Sequence, residues 1–131
     1  MIDYEVQVFN TVHSAVAPLC AKNKFVSKQV LSPTAFPAAS LIEMDNATVR
    51  ARQSSTPGEN FALITYQLDV FAKTKSECRS VFAAADGAMI AMNFSRMSGR
   101  YIDNPGNPDV FRYTARYEAE IDPDGNVYRR P

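Results

Sequence analysis

Acidic and basic side chains number fourteen each in this 131-residue chain, so it has no charge excess of either sign. Non-specific wrapping of nucleic acid by a basic surplus is therefore not supported, although local clusters can still make charged contacts. Histidine occurs once, as His13, in a helical setting between Val12 and Ser14. No serine or cysteine in a recognisable nucleophile context accompanies it, which argues against general-base catalysis there. The only cysteines, Cys20 and Cys78, sit at apolar positions of two predicted helices. Burial as small free thiols is the simpler reading, and a disulfide between packed helices is the alternative. Side chains that ligate metals do not cluster at ligand spacing. The run Asp122-Pro123-Asp124-Gly125-Asn126 lacks the length and the later glutamate of a calcium loop. A glycine-rich phosphate loop is absent, and no apolar run approaches a membrane span. The N-terminal MIDYEVQVFN has neither a basic head nor a signal-type apolar block. These absences predict no catalytic, cofactor or metal site, no membrane partner, and a protein made and kept in the cytoplasm unless a larger assembly carries it out.

What is present suffices for a folded body. A hydrophobic fraction of 46% supports an ordinary core, and the length fits a single domain spanning residues 1–131. The most informative stretch runs from Ser40 to Glu77. Within Phe61 to Ala72, Ile64, Tyr66, Leu68 and Val70 share one face while Thr65, Gln67 and Asp69 share the other. A period of two marks a strand with one buried and one more exposed side. At about 3.3 Å per residue it spans roughly 40 Å, about twice the usual strand. A strand of that length is expected to outrun a small core and to carry part of its hairpin outward. The preceding strand is expected over Ala38 to Met44. The polar stretch from about 45 to 60, with Ser54, Ser55, Pro57 and Gly58 at its tip, reads either as a solvated loop or as an arm ordered against a neighbour. Val49 to Arg52 are placed to carry the strand outward before that tip.

Asp3 is placed to cap a first helix reaching to about Lys22, with Val8, Phe9, Val12, Val16, Leu19 and Cys20 forming its apolar stripe and Pro18 kinking or stopping it. Phe25 to Leu31 reads as a strand, and the two prolines of Ser32 to Pro37 make a link. Thr74-Lys75-Ser76-Glu77 fits a capping box. Cys78, Val81, Phe82, Ala85, Met89 and Met92 follow at helical spacing, with Gly87 expected to be a close-packing point and Met89, Met92 and Met97 core fillers. Phe94 to Ile102 reads as a strand bulged near Ser98 and Gly99. Phe111, Tyr113, Ala115, Tyr117, Ala119 and Ile121 then alternate with Arg112, Thr114, Arg116, Glu118 and Glu120, which predicts an aromatic face on the helices and a charged face outward. A turn at 122–126 returns the chain as a short final strand. The expected class is α+β: a mainly antiparallel or mixed sheet of about five strands, two helices packed on it, and a projecting hairpin.

The charged stripe of the last long strand is the chief candidate contact surface. Arg112, Arg116, Glu118 and Glu120 read either as a solvated face or as one side of a subunit contact set by opposite charges. Arg96 and Arg100 enlarge the basic part if their strand lies nearby, and the alternative for such a patch is the border of a DNA-filled channel, ranked below the subunit contact. Arg50, Arg52 and Glu59 on the hairpin are the corresponding candidates for reaching a neighbour. A rival reading is a small binding or enzymatic α+β domain with a pocket between sheet and helices lined by Met89, Tyr113 and Tyr117.

The element order, with SPTAFPAASLIEMDN, ITYQLDVFAKTKSEC and the closing VFRYTARYEAEIDPDGNVYRR, resembles the tail terminator (tail-completion) proteins of long-tailed bacteriophages over nearly the whole chain. The resemblance implies a small α+β structural protein of the virion without catalytic residues. It further implies a homo-hexameric ring at the tail–neck junction, assembled in the host cytoplasm. Such a ring ends the tail tube and meets both the tube protein and the head–tail connector or stopper. DNA would pass through its lumen without specific binding. A neighbouring stopper protein of the neck is the nearest alternative within the same class.

Overall fold

The alternation between residues 62 and 72 becomes the middle of a sheet. In the computed structural model, which describes residues 3–20, 24–27, 35–48, 61–102 and 109–129, the elements are α1 (Glu5–Val16), β1 (Phe25–Val26), β2 (Ala38–Thr48), β3 (Ala62–Ala72), α2 (Lys75–Ala91), β4 (Ser95–Ile102), β5 (Phe111–Ile121) and β6 (Val127–Arg129). The sheet order is β1-β2-β3-β5-β4, with β6 pairing the far end of β5. All pairings are antiparallel except β1 with β2. The α+β class read from the sequence is therefore the observed one.

Strand β3 does not outrun the core. It is paired along its length by β2 on one side and β5 on the other, and its end residues Ala62 and Ala72 are fully buried. The expected projection rests on residues 49–60, which lie outside the described residues. Strand β2 runs four residues past the expected Met44, to Thr48. The register shifts between Glu43 and Asp45, so Met44 is the extra residue and is half exposed. Such a bulge resets which side each following residue faces. It lets Asp45 to Thr48 pair with Thr65 to Ala62.

Both helices contribute to one core on the inner face of the sheet. Val8, Val12 and Val16 of α1 and Cys78, Val81, Ala85 and Met89 of α2 join Leu41, Ile64, Tyr66, Leu68, Val70, Ala115, Tyr117, Ala119 and Ile121. Tyr66 meets Phe94 edge-on, with ring centroids 5.6 Å apart, a favoured aromatic geometry. The N-cap of α1 is Tyr4, with no side-chain cap bond, and not Asp3 as expected; Asp3 lies one residue earlier and accepts the Glu5 amide at 3.2 Å. Helix α1 nevertheless ends at Val16 and not near Lys22; a 3₁₀ turn over Ala17–Leu19 follows, and Pro18 within it has no amide hydrogen to continue the α-helical ladder. Leu19 consequently leaves the stripe and is exposed. Thr74 Oγ1 accepts the Glu77 amide at 3.1 Å, forming the forward half of the capping box.

Three further expectations are corrected by the packing. Gly87 is exposed, and a β-carbon there would meet nothing within 4 Å, so it is not a packing point. Met97 is an exposed bulge residue and not a core filler, whereas Met89 is buried. Phe111 lies at the end of β5 and is 40% exposed. Strand β1 covers two residues of the predicted Phe25–Leu31, and residues 28–31 lie outside the described ones. The turn after β5 forms as expected, with Gly125 at φ +86°, a conformation that glycine adopts without steric cost.

Candidate functional site

Strand register decides which charges share the open face of the sheet. On β3 and β5, Gln67 lies opposite Arg116, Asp69 opposite Thr114, and Phe71 opposite Arg112. On β4, Ser98, Arg100 and Ile102 lie opposite Arg116, Thr114 and Arg112. The shift between Arg96 and Ser98 inserts Met97. Arg96 thereby falls opposite Tyr117 and faces the helices, while Arg100 faces out with Arg116. The basic patch expected from four arginines therefore contains Arg100 but not Arg96.

Asp69 anchors this face. Its side chain is buried, and Arg112 donates to Oδ1 through Nε at 3.2 Å and Nη2 at 3.1 Å. The Thr114 hydroxyl also donates to Oδ1, and Gln67 Nε2 donates to Oδ2 at 3.1 Å. A buried carboxylate is tolerated when its lone pairs are met in this way. The Arg112 guanidinium also lies 5.5 Å from the centre of the Phe71 ring. Beside it Ala38, Phe71 and Val110, with Phe36 against them, form a small second core on the open face. Arg112, a candidate contact residue, is thus committed to a bond within its own chain. Asp69 and Gln67 escaped notice as site residues; the available signal was an aspartate on the strand face that register sets against an arginine-bearing strand.

Arg100 and Arg116 differ from their neighbours. Arg96 is paired with Asp86 at 3.0 Å and Arg112 with Asp69 at 3.1 Å. Arg100 and Arg116 are exposed, take part in no ion pair among the described residues, and line one groove of about 490 Å³ with Gln67, Ser98, Ile102 and Thr114. Gln67 and Thr114, on the groove floor, are held by Asp69. Glu118 and Glu120 follow Arg116 on the same face and are half-buried. Arg50, Arg52 and Glu59 lie outside the described residues.

The helix side holds the other polar clusters. Tyr117 donates to Asp86 Oδ1 at 2.7 Å, and burial first, then this bond, pushes its hydroxyl pKa up. Burial also raises Glu43, with the Glu5 and Asp3 carboxylates adding to the effect, and its Oε1 has no hydrogen-bond partner. Burial pushes the thiols of Cys20 and Cys78 up to about 11, and both are free, so neither supplies a thiolate near neutral pH. The exposed His13 ring lies 5.7 Å from Phe9 and from Phe25. Met89 and Tyr117 are fully buried core residues and Tyr113 packs on Phe82 at 4.3 Å, so the three fill space instead of lining a pocket. A second recess, of about 390 Å³, lies between the start of α1 and the β5–β6 turn, bordered by Asp3, Tyr4, Gln7, Asp122 and Asp124. Among the described residues, no three acidic, histidine or cysteine side chains are grouped to hold a metal, and no helix is long and apolar enough to cross a membrane. The arrangement offers charge and shape for binding a partner.

No protein-family model matches the chain, and no curated protein matches it. Among solved structures, a chain of the "Virion of native gene transfer agent (GTA) particle" has a TM-score of 0.65 at 13% identity, covering 88% of this chain and 91% of that one. The likeness is one of fold, and it extends over nearly the whole of both chains.

Proposed function

We propose that this chain is a structural virion protein of the tail-terminator class, one domain over residues 1–131. Copies of it form a hexameric ring that ends the tail tube and joins it to the head connector. The observation that carries this reading is the fold shared with a virion chain over 88% and 91% of the two lengths. The element order and closing motifs that resemble tail terminators narrow the class. A sheet with helices on one face and charge on the other is a rigid wedge, and identical wedges close into a ring without free ends. Arg112, Arg116, Glu118 and Glu120 lie on the open face that meets a neighbour. Arg50, Arg52 and Glu59 are assigned to the hairpin that reaches the adjoining subunit or the last tube ring. The balanced charge of the chain suits a lumen through which DNA slides without being gripped. Its place is then the tail–neck junction of the particle, with the tube protein and the connector or stopper as partners, and the protein performs no catalysis. Electron micrographs of the purified protein mixed with tail tubes test this: six-fold rings or capped tube ends are expected. Saturable binding of a small molecule with a matching thermal shift, and tubes left uncapped, would overturn it.

A further inference from the structure

Arg100 and Arg116 have no counter-charge in their groove among the described residues, and the same chain carries an acidic turn too far along β5 to reach them. That turn joins β5 to β6. Asp122 Oδ1 accepts the amides of Asp124 at 3.0 Å and Asn126 at 2.9 Å, and its Oδ2 accepts from Asn126 Nδ2 and the Tyr128 hydroxyl, each at 3.0 Å. The Gly125 amide closes the turn onto the Asp122 carbonyl at 3.1 Å. These bonds use the backbone of Asp124 and leave its exposed carboxylate at the tip. From Arg116 to Asp122 the strand runs on for about 20 Å at its usual rise, away from the groove.

We propose that the groove lined by Gln67, Ser98, Arg100, Thr114 and Arg116 is a docking site for the β5–β6 turn of a second copy of this chain. Asp124 enters between the two guanidinium groups. The proposal rests on the ring reading above and specifies one of its contacts. Charge complementarity argues for it: among the described residues neither exposed guanidinium has an ion-pair partner, and no bond there engages the Asp124 carboxylate, which sits on a preorganised turn. Gln67 and Thr114 are already oriented by Asp69, so the groove floor is set before docking, and Arg100 and Arg116 are the side chains that lose freedom. Because groove and turn are different surfaces, the contact is head-to-tail and repeats from copy to copy, the type that closes a ring. A DNA backbone is the less fitting occupant. Two neighbouring guanidinium groups on a chain with no basic excess give few phosphate contacts.

The test uses the intact protein in sedimentation velocity across a concentration series at low ionic strength. Arg100→Glu with Arg116→Glu, and separately Asp124→Arg, are each expected to weaken self-association about tenfold or more, as losing a close interfacial charge pair does. All three substitutions in one chain restore complementarity with reversed sign and recover most of the loss. All three sites are exposed, and thermal melts matching the wild type show that each variant is folded. Variants that associate as the wild type does, or failure of the combined variant to recover, would overturn the docking. So would low-salt binding of a DNA duplex that the arginine reversals abolish while self-association stays unchanged. A wild type that remains monomeric throughout also overturns it, while the ring reading is judged separately by whether the protein caps tail tubes.

Discussion

Replacing Asp69 by alanine removes the acceptor around which the open face is organised. Arg112, Thr114 and Gln67 all donate to this carboxylate, and Asp69 is 1% exposed. Breaking a buried pair by removing one partner costs about 3–5 kcal/mol, because the other charge is left uncompensated. The Arg112 side chain is 22% exposed and regains some water, which places the expected loss near the lower end, about 3 kcal/mol. For a chain of this length that corresponds to a melting temperature lower by roughly 10 °C. Urea unfolding followed by circular dichroism gives the value directly, provided the slope with denaturant is unchanged. A double cycle with Arg112→Ala should show a coupling of about 1–3 kcal/mol, since the two residues share one network. A loss below about 1 kcal/mol, with additive single effects, would refute the claim that Asp69 holds the groove floor in place.

Thr74→Ala is expected to cost about 1 kcal/mol by removing the acceptor for the Glu77 amide, readable in the same unfolding curves. Gly87→Ala should instead stabilise by up to about 1 kcal/mol, because its β-carbon meets open space on an exposed helical position; a loss would mean that this face of α2 is covered. Gly99→Ala should destabilise, because the added carbon comes within 2.6 Å of the Tyr113 hydroxyl and forces that ring to shift. Burial, with Glu5 and Asp3 behind it, raises the pKa of Glu43 in the folded state. Its contribution therefore favours folding below the ordinary carboxylate range and is lost as pH rises through the raised value. Glu43→Gln should melt higher than the wild type at neutral pH, with the gap closing toward about pH 4; a gap independent of pH would contradict this.

Local signals survived into the structure best. The Thr74 cap depends on four consecutive residues, and the strict alternation from Phe111 to Ile121 fixes which side of β5 meets the helices, so both were legible in sequence. The turn at Asp122 was legible for the same reason. Features that depend on a single inserted residue were legible only in part: the bulge expected near Ser98 and Gly99 falls at Met97, between Arg96 and Ser98, and the one at Met44 was not expected. Met97 flips Arg96 to the helix side and leaves Arg100 outside, and Met44 extends β2 beyond its expected end. A period-of-two pattern alone cannot locate such a slip. The burial of Asp69 depends on the sheet around it and on residues far along the chain, among them Arg112, Thr114 and Val110, which no local window contains. The lack of contacts at Gly87 is a tertiary fact too: helical spacing names a face, but not what lies across from it.

The claim at the centre of this account is that the protein stops a growing tail and connects it to the head. Deleting its gene and imaging the resulting particles by electron microscopy tests that most directly. The account predicts tails of uncontrolled length, unattached to heads; tails of normal length joined to heads would contradict it.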